Sequence, residues 1–341
     1  MTQSSLPIID LDLLNQPGAP REHVIAQLLQ AAHQVGFFYI INHGVDQTLS
    51  DSVQDLSREF FSLPAADKQS VAMIHSPHFR GYSAAGSELT RQQPDWREQF
   101  DIGAHRNAYV VNQPAWRRLQ GPNQWPQALP QLRPTLELWQ GQMTALGQRL
   151  LAALAEALQL PDGVFDAFSG DDAHQHIKLI HYPGQQPELG TQGVGAHKDS
   201  GFLSFLLQDN QAGLQVSLAN QQWIDVPPVA GSFVVNIGEL LELATQGFLT
   251  ATLHRVVSPQ PPQSRLSIAF FFGAKLDAYI PVLPLPAIYQ QGGTDLHADA
   301  DNPLLREVGW NYLKGRLRSH PDVAERYYAD VLSKAVVLNE Q

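Results

Sequence analysis

The alternation of apolar and polar residues changes character along the chain. Near the start, LPIIDL predicts a short strand, and over residues 22–35 Val24, Ile25, Leu28, Leu29 and Ala32 share one helical face. Gly36 is placed to end that helix in a left-handed conformation. FFYIIN then predicts a strand, Asn42-His43-Gly44 a turn, and residues 46–61 a second helix. From 73 to 134, Pro, Gly, Gln and Trp recur without a sustained period, which predicts long covering loops. Leu136, Trp139, Met143, Leu146, Leu150, Leu154 and Leu158 follow at helical spacing and predict a long helix that buries this face against a sheet.

Between 177 and 272 the pattern shifts to IKLIHY, FLSFLLQ, GLQVSL, QWIDV, SFVVNI and RLSIAFFF, separated by Gly, Pro, Asn and Asp. Short strands with such punctuation predict an antiparallel sandwich or barrel. The tail returns to helix, including one over about 321–332 with Val323, Tyr327 and Val331 on one face. The chain therefore reads as mainly β with flanking helices: a mixed α/β region over 1–130, a supporting helix region over 131–172, a β core over 173–276 and a helical extension over 277–341.

Composition narrows the chemistry. With no cysteine, disulfides, thiolate metal sites and cysteine nucleophiles are excluded. The formal net charge of −11 and the lack of a basic stripe argue against nucleic acid as a partner. No basic segment followed by an apolar one opens the chain, and no stretch has the length of a membrane span. A cytoplasmic protein acting on a small molecule is the expectation, with the oligomeric state undetermined.

Three residues stand out as metal ligands. In GAHKDSG, His197 and Asp199 are two apart, so on an extended strand they project from one face. His-x-Asp alone is a common accident. In LTATLHRVVS, however, Leu249, Ala251 and Leu253 alternate with Thr250, Thr252 and His254, placing His254 on the polar side of a predicted strand. Two imidazoles and one carboxylate make a facial triad, which suits iron(II) and leaves positions open for a cosubstrate and O2. Further on, Arg265 and Ser267 share one strand face, opposite Leu266, Ile268 and Phe270. A guanidinium beside a hydroxyl matches a carboxylate, although an internal ion pair would equally satisfy a buried arginine.

With these residues in place the sequence resembles the isopenicillin N synthase-like iron(II)/2-oxoglutarate dioxygenases. The likeness runs from residue 6 to about 275, through GFFYIINHGV (36–45), LIHYPG (179–184), GAHKDSG (195–201), GLQV (213–216), WIDVPP (223–228), VVNIGELLELATQG (234–247), LHRVV (253–257) and RLSIAFFF (265–272). The segment 81–103 is also similar to that of bacterial members that use 2-oxoglutarate.

The resemblance implies a double-stranded β-helix (jelly-roll) core and iron at His197, Asp199 and His254. It implies the cosubstrate carboxylate at Arg265 and Ser267, with a hydroxyl from Tyr182, and ascorbate as an auxiliary reductant. The implied reaction hydroxylates, desaturates or cyclises a small molecule while 2-oxoglutarate and O2 become succinate and CO2. Ile180 stands where many 2-oxoglutarate users have asparagine, as in the isopenicillin N synthase branch. An oxidase that binds its own substrate's carboxylate at Arg265 is therefore the alternative, and a non-catalytic binding module that keeps the fold is another.

Other histidines carry less. His181 alternates away from Tyr182, His174 and His176 have no evident partner, and His43 belongs to a turn. His297-Ala298-Asp299 repeats the His-x-Asp spacing but lacks a following apolar strand, and reads as a solvated loop. Gly193-x-Gly195 lacks the third glycine and helix of a dinucleotide site.

Overall fold

The computed structural model describes residues 5–111, 113–170, 172–185, 192–290 and 303–333. The opening unit follows the predicted pattern: β1 (Ile8–Asp10), α1 (Ala19–Gln34), β2 (Phe37–Ile41), α2 (Gln47–Ser62) and a short α3 (Ala65–Ser70). Asp46 caps α2 by accepting from the backbone N–H groups of Thr48 and Leu49. Gly36 takes φ +68 after α1, and a Cβ there would lie 1.9 Å from the carbonyl oxygen of Thr250. Only glycine fits both the conformation and the contact.

The stretch expected to be loops contains four strands, β3 (Gly81–Ser83), β4 (Leu89–Thr90), β5 (Gln93–Pro94) and β6 (Glu98–Gly103). β6 escaped the pattern because its alternation is weak: Gln99 and Asp101 face away from Phe100 and Ile102, yet all four are fully buried. After α4 (Leu132–Ala157) come β7 (Gln175–Tyr182), β8 (Gln192–His197), β9 (Leu203–Gln208), β10 (Leu214–Ser217), β11 (Trp223–Asp225) and β12 (Phe233–Ile237). The chain continues through α5 (Glu239–Ala244), β13 (His254–Val257), β14 (Arg265–Phe272), α6 (Val308–Ser319) and α7 (Pro321–Tyr327).

Two sheets form the sandwich. The major one has the order β1-β2-β12-β9-β14-β7-β6-β3, and the minor one β11-β10-β13-β8. All pairings within them are antiparallel except β1 with β2. This is the antiparallel sandwich that the strand pattern predicts and the jelly-roll core that the resemblance implies, extended at both edges of the major sheet by N-terminal strands.

Strand alternation divides the core into two compartments. Phe38, Ile40, Leu179, Ile268 and Phe270 face outward, onto the helices. α4 covers them, with Trp139 packed 6.3 Å from Phe233 and 6.2 Å from Phe270 between ring centroids. Removing a buried ring of this size typically costs about 3–5 kcal/mol. Phe37, Ile180, Tyr182, Val194, Val216 and Ala269 face inward, into the space between the sheets.

Two further expectations change. LTATL is not strand, since β13 begins at His254. Its backbone bonds go elsewhere: the Thr250 N–H to Ala32 O and the Ala251 N–H to Glu242 Oε1, while the Thr252 hydroxyl donates to Val35 O. The helix expected over 321–332 breaks at Tyr328, which is fully buried, donates its hydroxyl to Pro77 O at 2.7 Å and stacks on Phe79. His297 and Asp299 lie outside the described residues.

Candidate active site

His197 ends β8 and His254 begins β13, and the two are directly paired across the minor sheet. Asp199 lies beyond the end of β8. Its convergence with His197 therefore comes from the chain turning out of the strand, not from strand alternation. One potential ligand atom from each of the three residues lies within 4.8 Å of the other two. No other such group of His, Cys, Asp or Glu exists among the described residues.

The rings are held in one tautomer. His197 Nδ1 lies 2.8 Å from Gly195 O and His254 Nδ1 lies 3.0 Å from Thr252 O. Because a carbonyl only accepts, both Nδ1 atoms carry the proton in the neutral rings, and both Nε2 lone pairs are free. Those Nε2 atoms lie 3.5 and 3.6 Å from Asp199 Oδ1. Asp199 Oδ2 accepts from Asn236 Nδ2 at 2.9 Å, which leaves Oδ1 for the shared space.

Burial alone would raise the Asp199 pKa. When the rings are protonated, the charge of His254 and the hydrogen bonds that both imidazoles then donate from Nε2 outweigh it and hold the carboxyl well below its ordinary range. In the neutral rings those Nε2 atoms are the lone pairs that face the carboxylate. Two neutral imidazole nitrogens and one ionised carboxylate oxygen form a donor set suited to a divalent first-row metal. The edge of Phe37 packs against His254 at 5.1 Å between centroids.

Arg265, Ser267 and Tyr182 also come together, inside the sandwich. Arg265 pairs with Tyr182 across β14 and β7, and its guanidinium lies 5.1 Å from that ring's centroid. Arg265 is 0% exposed, donates to Ser267 Oγ at 3.2 Å and to Gln208 Oε1 at 2.9 Å, and leaves Nε without a partner. It has no carboxylate partner among the described residues, so the internal ion pair is not what satisfies it. A buried cation with a spare donor and no acid fits an incoming carboxylate.

The remaining expectations sort cleanly. His181 points to the opposite face and lies 2.8 Å from Glu98, and the His43 ring accepts from the Val45 N–H within its turn. His176, which has no evident partner in the sequence, lies 2.6 Å from Asp101 and 2.8 Å from Arg316, while His174 packs on Tyr312. Asn236 and Gln208 are site residues that sequence reasoning missed. Each is one polar position in an apolar run, VVNI and FLLQ, and that was the only signal.

Two family models match the chain. Residues 6–128 match "non-haem dioxygenase in morphine synthesis N-terminal" and residues 173–274 match "2OG-Fe(II) oxygenase superfamily". A 2-oxoglutarate-dependent dioxygenase, frbJ, of Dothideomycetidae sp. (strain 11243) is 35% identical over 98% of this chain and 95% of its own length. A homoarginine-6-hydroxylase of Arabidopsis thaliana is 33% identical over 85% of this chain and 90% of its own. Among solved structures, a full-length Neurospora crassa protein in complex with alpha-KG and thymine superposes with a TM-score of 0.72 at 27% identity, covering 86% of this chain and 95% of that one.

The chain belongs to the 2OG-Fe(II) oxygenase superfamily. It is an oxidoreductase whose cofactors are iron(II) and 2-oxoglutarate.

Proposed function

We propose that His197, Asp199 and His254 hold the iron, and that Arg265, with Ser267 and Tyr182, holds the carboxylate of 2-oxoglutarate remote from the metal. The observation that carries the second assignment is the fully buried Arg265 guanidinium, unpaired with any acid among the described residues and facing the same interior as His254. Iron(II) with 2-oxoglutarate supplies the activation of O2 and a two-electron oxidant. The overall balance is substrate C–H plus 2-oxoglutarate plus O2 giving C–OH plus succinate plus CO2, with desaturation or ring closure releasing water instead.

The protein's own groups do the positioning. The Gly195 and Thr252 carbonyls aim both Nε2 lone pairs at one point, and the Asn236 amide orients Asp199. Val194, Val216 and Ala269 line the interior and keep bulk water from the oxidant. The substrate is a small molecule and the enzyme acts in the cytoplasm. No helix among the described residues is long and apolar enough to cross a membrane, in keeping with that setting.

An anaerobic titration of the iron(II) protein with 2-oxoglutarate tests this reading. A visible metal-to-ligand charge-transfer band should develop in the wild type. It should require far higher 2-oxoglutarate in Arg265→Met and be lost in Asp199→Ala. Failure of the wild type to develop the band, or unchanged 2-oxoglutarate affinity in Arg265→Met, would overturn the assignment.

A further inference from the structure

The inner face of the major sheet is polar on the side of β7 away from β14. A row of cross-strand partners links Asn236 on β12, which holds Asp199, to Ser204, Phe271, His176 and Gly103. His176 and its neighbour Lys178 are therefore at the level of the triad and not at the Arg265 end. Around them stand Glu88, Asp95, Gln99 and Asp101, each at most 6% exposed, with Arg97 and Lys178 nearly as buried.

These charges pair with one another incompletely. Lys178 Nζ lies 2.8 Å from Glu88, Arg97 pairs with Glu88 at 2.5 Å, and Arg316 of α6 reaches in to Asp101 at 3.3 Å. Arg80 is only 5% exposed and has no carboxylate partner among the described residues. Its contacts to Leu119 O, Phe79 O and His176 Nδ1 span 3.3 to 3.5 Å, and its Nε has none. Three carboxylates (Glu88, Asp95, Asp101) thus face four cations (Arg80, Arg97, Lys178, Arg316). Of these groups only Arg80 borders the cavity of about 360 Å3 that His174 and Lys275 also line.

Unsatisfied atoms of both kinds occur in this wall. Asp101 Oδ2 wants a donor, while Gln99 Nε2 and Arg80 Nε want acceptors. A ligand that supplies the missing partner gains about 1–3 kcal/mol for each such group over one that does not, so the wall favours polar substrates. A purely anionic ligand would meet Asp101 and Glu88, and a purely cationic one would meet Arg80 and Arg316.

We propose that the primary substrate is a zwitterionic, amino-acid-like molecule whose carboxylate is received by Arg316 and Arg80 and whose N–H donor is received by Asp101 Oδ2. This rests on the iron and 2-oxoglutarate reading above and adds the substrate class. Arg316 acts from α6, so that helix contributes a charge to the wall as well as covering it.

The test adds the proteinogenic L-amino acids and L-homoarginine singly to the anaerobic iron(II)–2-oxoglutarate protein, following the perturbation of the charge-transfer band. At least one should perturb it saturably, and its decarboxylated amine should bind at least tenfold more weakly. Arg316→Met should lose at least tenfold for the amino acid with little loss for the amine, and Arg316→Lys should recover part of it; a merely structural role would affect both ligands alike. If the amine binds as tightly as the amino acid, the carboxylate assignment is overturned. If none of the panel perturbs an otherwise normal band, the substrate class is wrong while the cofactor reading stands. If no band forms at all, the cofactor reading itself has failed, and this inference with it.

Discussion

Replacing Asn236 with alanine probes how Asp199 is positioned without removing any of the three converging residues. The amide and the carboxylate belong to residues 5% and 8% exposed and lie 2.9 Å apart. A buried hydrogen bond to an ionised group contributes about 1.5–3 kcal/mol. Removing an orienting partner of a metal ligand typically weakens metal binding by about 10–100-fold, which is about 1.4–2.7 kcal/mol. The two ranges agree, so most of the bond's worth should appear as lost iron affinity. Asp199 still faces two imidazoles at 3.5 and 3.6 Å, so the variant should remain folded. Anaerobic competition for iron(II) against a chelator of known affinity measures the loss, with thermal unfolding of the metal-free protein as the control. Iron affinity within twofold of wild type would refute the argument that this amide orients Asp199.

Three other outcomes are expected. Arg265→Met should raise the half-saturating 2-oxoglutarate concentration by about 100-fold, since a buried charge-assisted pair is lost, while leaving iron affinity in the same competition assay unchanged. Gly36→Ala should destabilise the fold by about 3 kcal/mol, because φ +68 is strained for alanine and the new Cβ would overlap Thr250 O; urea unfolding reads this directly. Glu98 is pulled up by burial, but hydrogen bonds from His181, Lys68 and Tyr82 prevail and hold its pKa at about 2, against the usual 4.5. A depressed carboxyl stabilises the fold above its unfolded pKa and loses that contribution as pH falls through the folded one. Urea unfolding from pH 6 to pH 2 should therefore show Glu98→Gln less stable by about 1–3 kcal/mol at pH 6, with the gap closing toward pH 2.

Much of the scaffold was legible locally, because period and punctuation are properties of neighbouring residues. The Leu and Trp stripe of α4, the left-handed Gly36 and the shared face of Arg265 and Ser267 all follow from spacing and residue type. The ordered motifs around His197, Asp199 and His254 carried the family likeness as well. Sequence alternation separates two faces of a strand but does not say which of them is enclosed. Gln99 and Asp101 therefore read as ordinary polar positions, and only the closing of β6 and β7 under α6 made them a buried wall with Arg316. Likewise, whether Arg265 meets an acid depends on which distant strands surround it. The tertiary structure decided that point by bringing it a hydroxyl and an amide oxygen, with no carboxylate among the described residues.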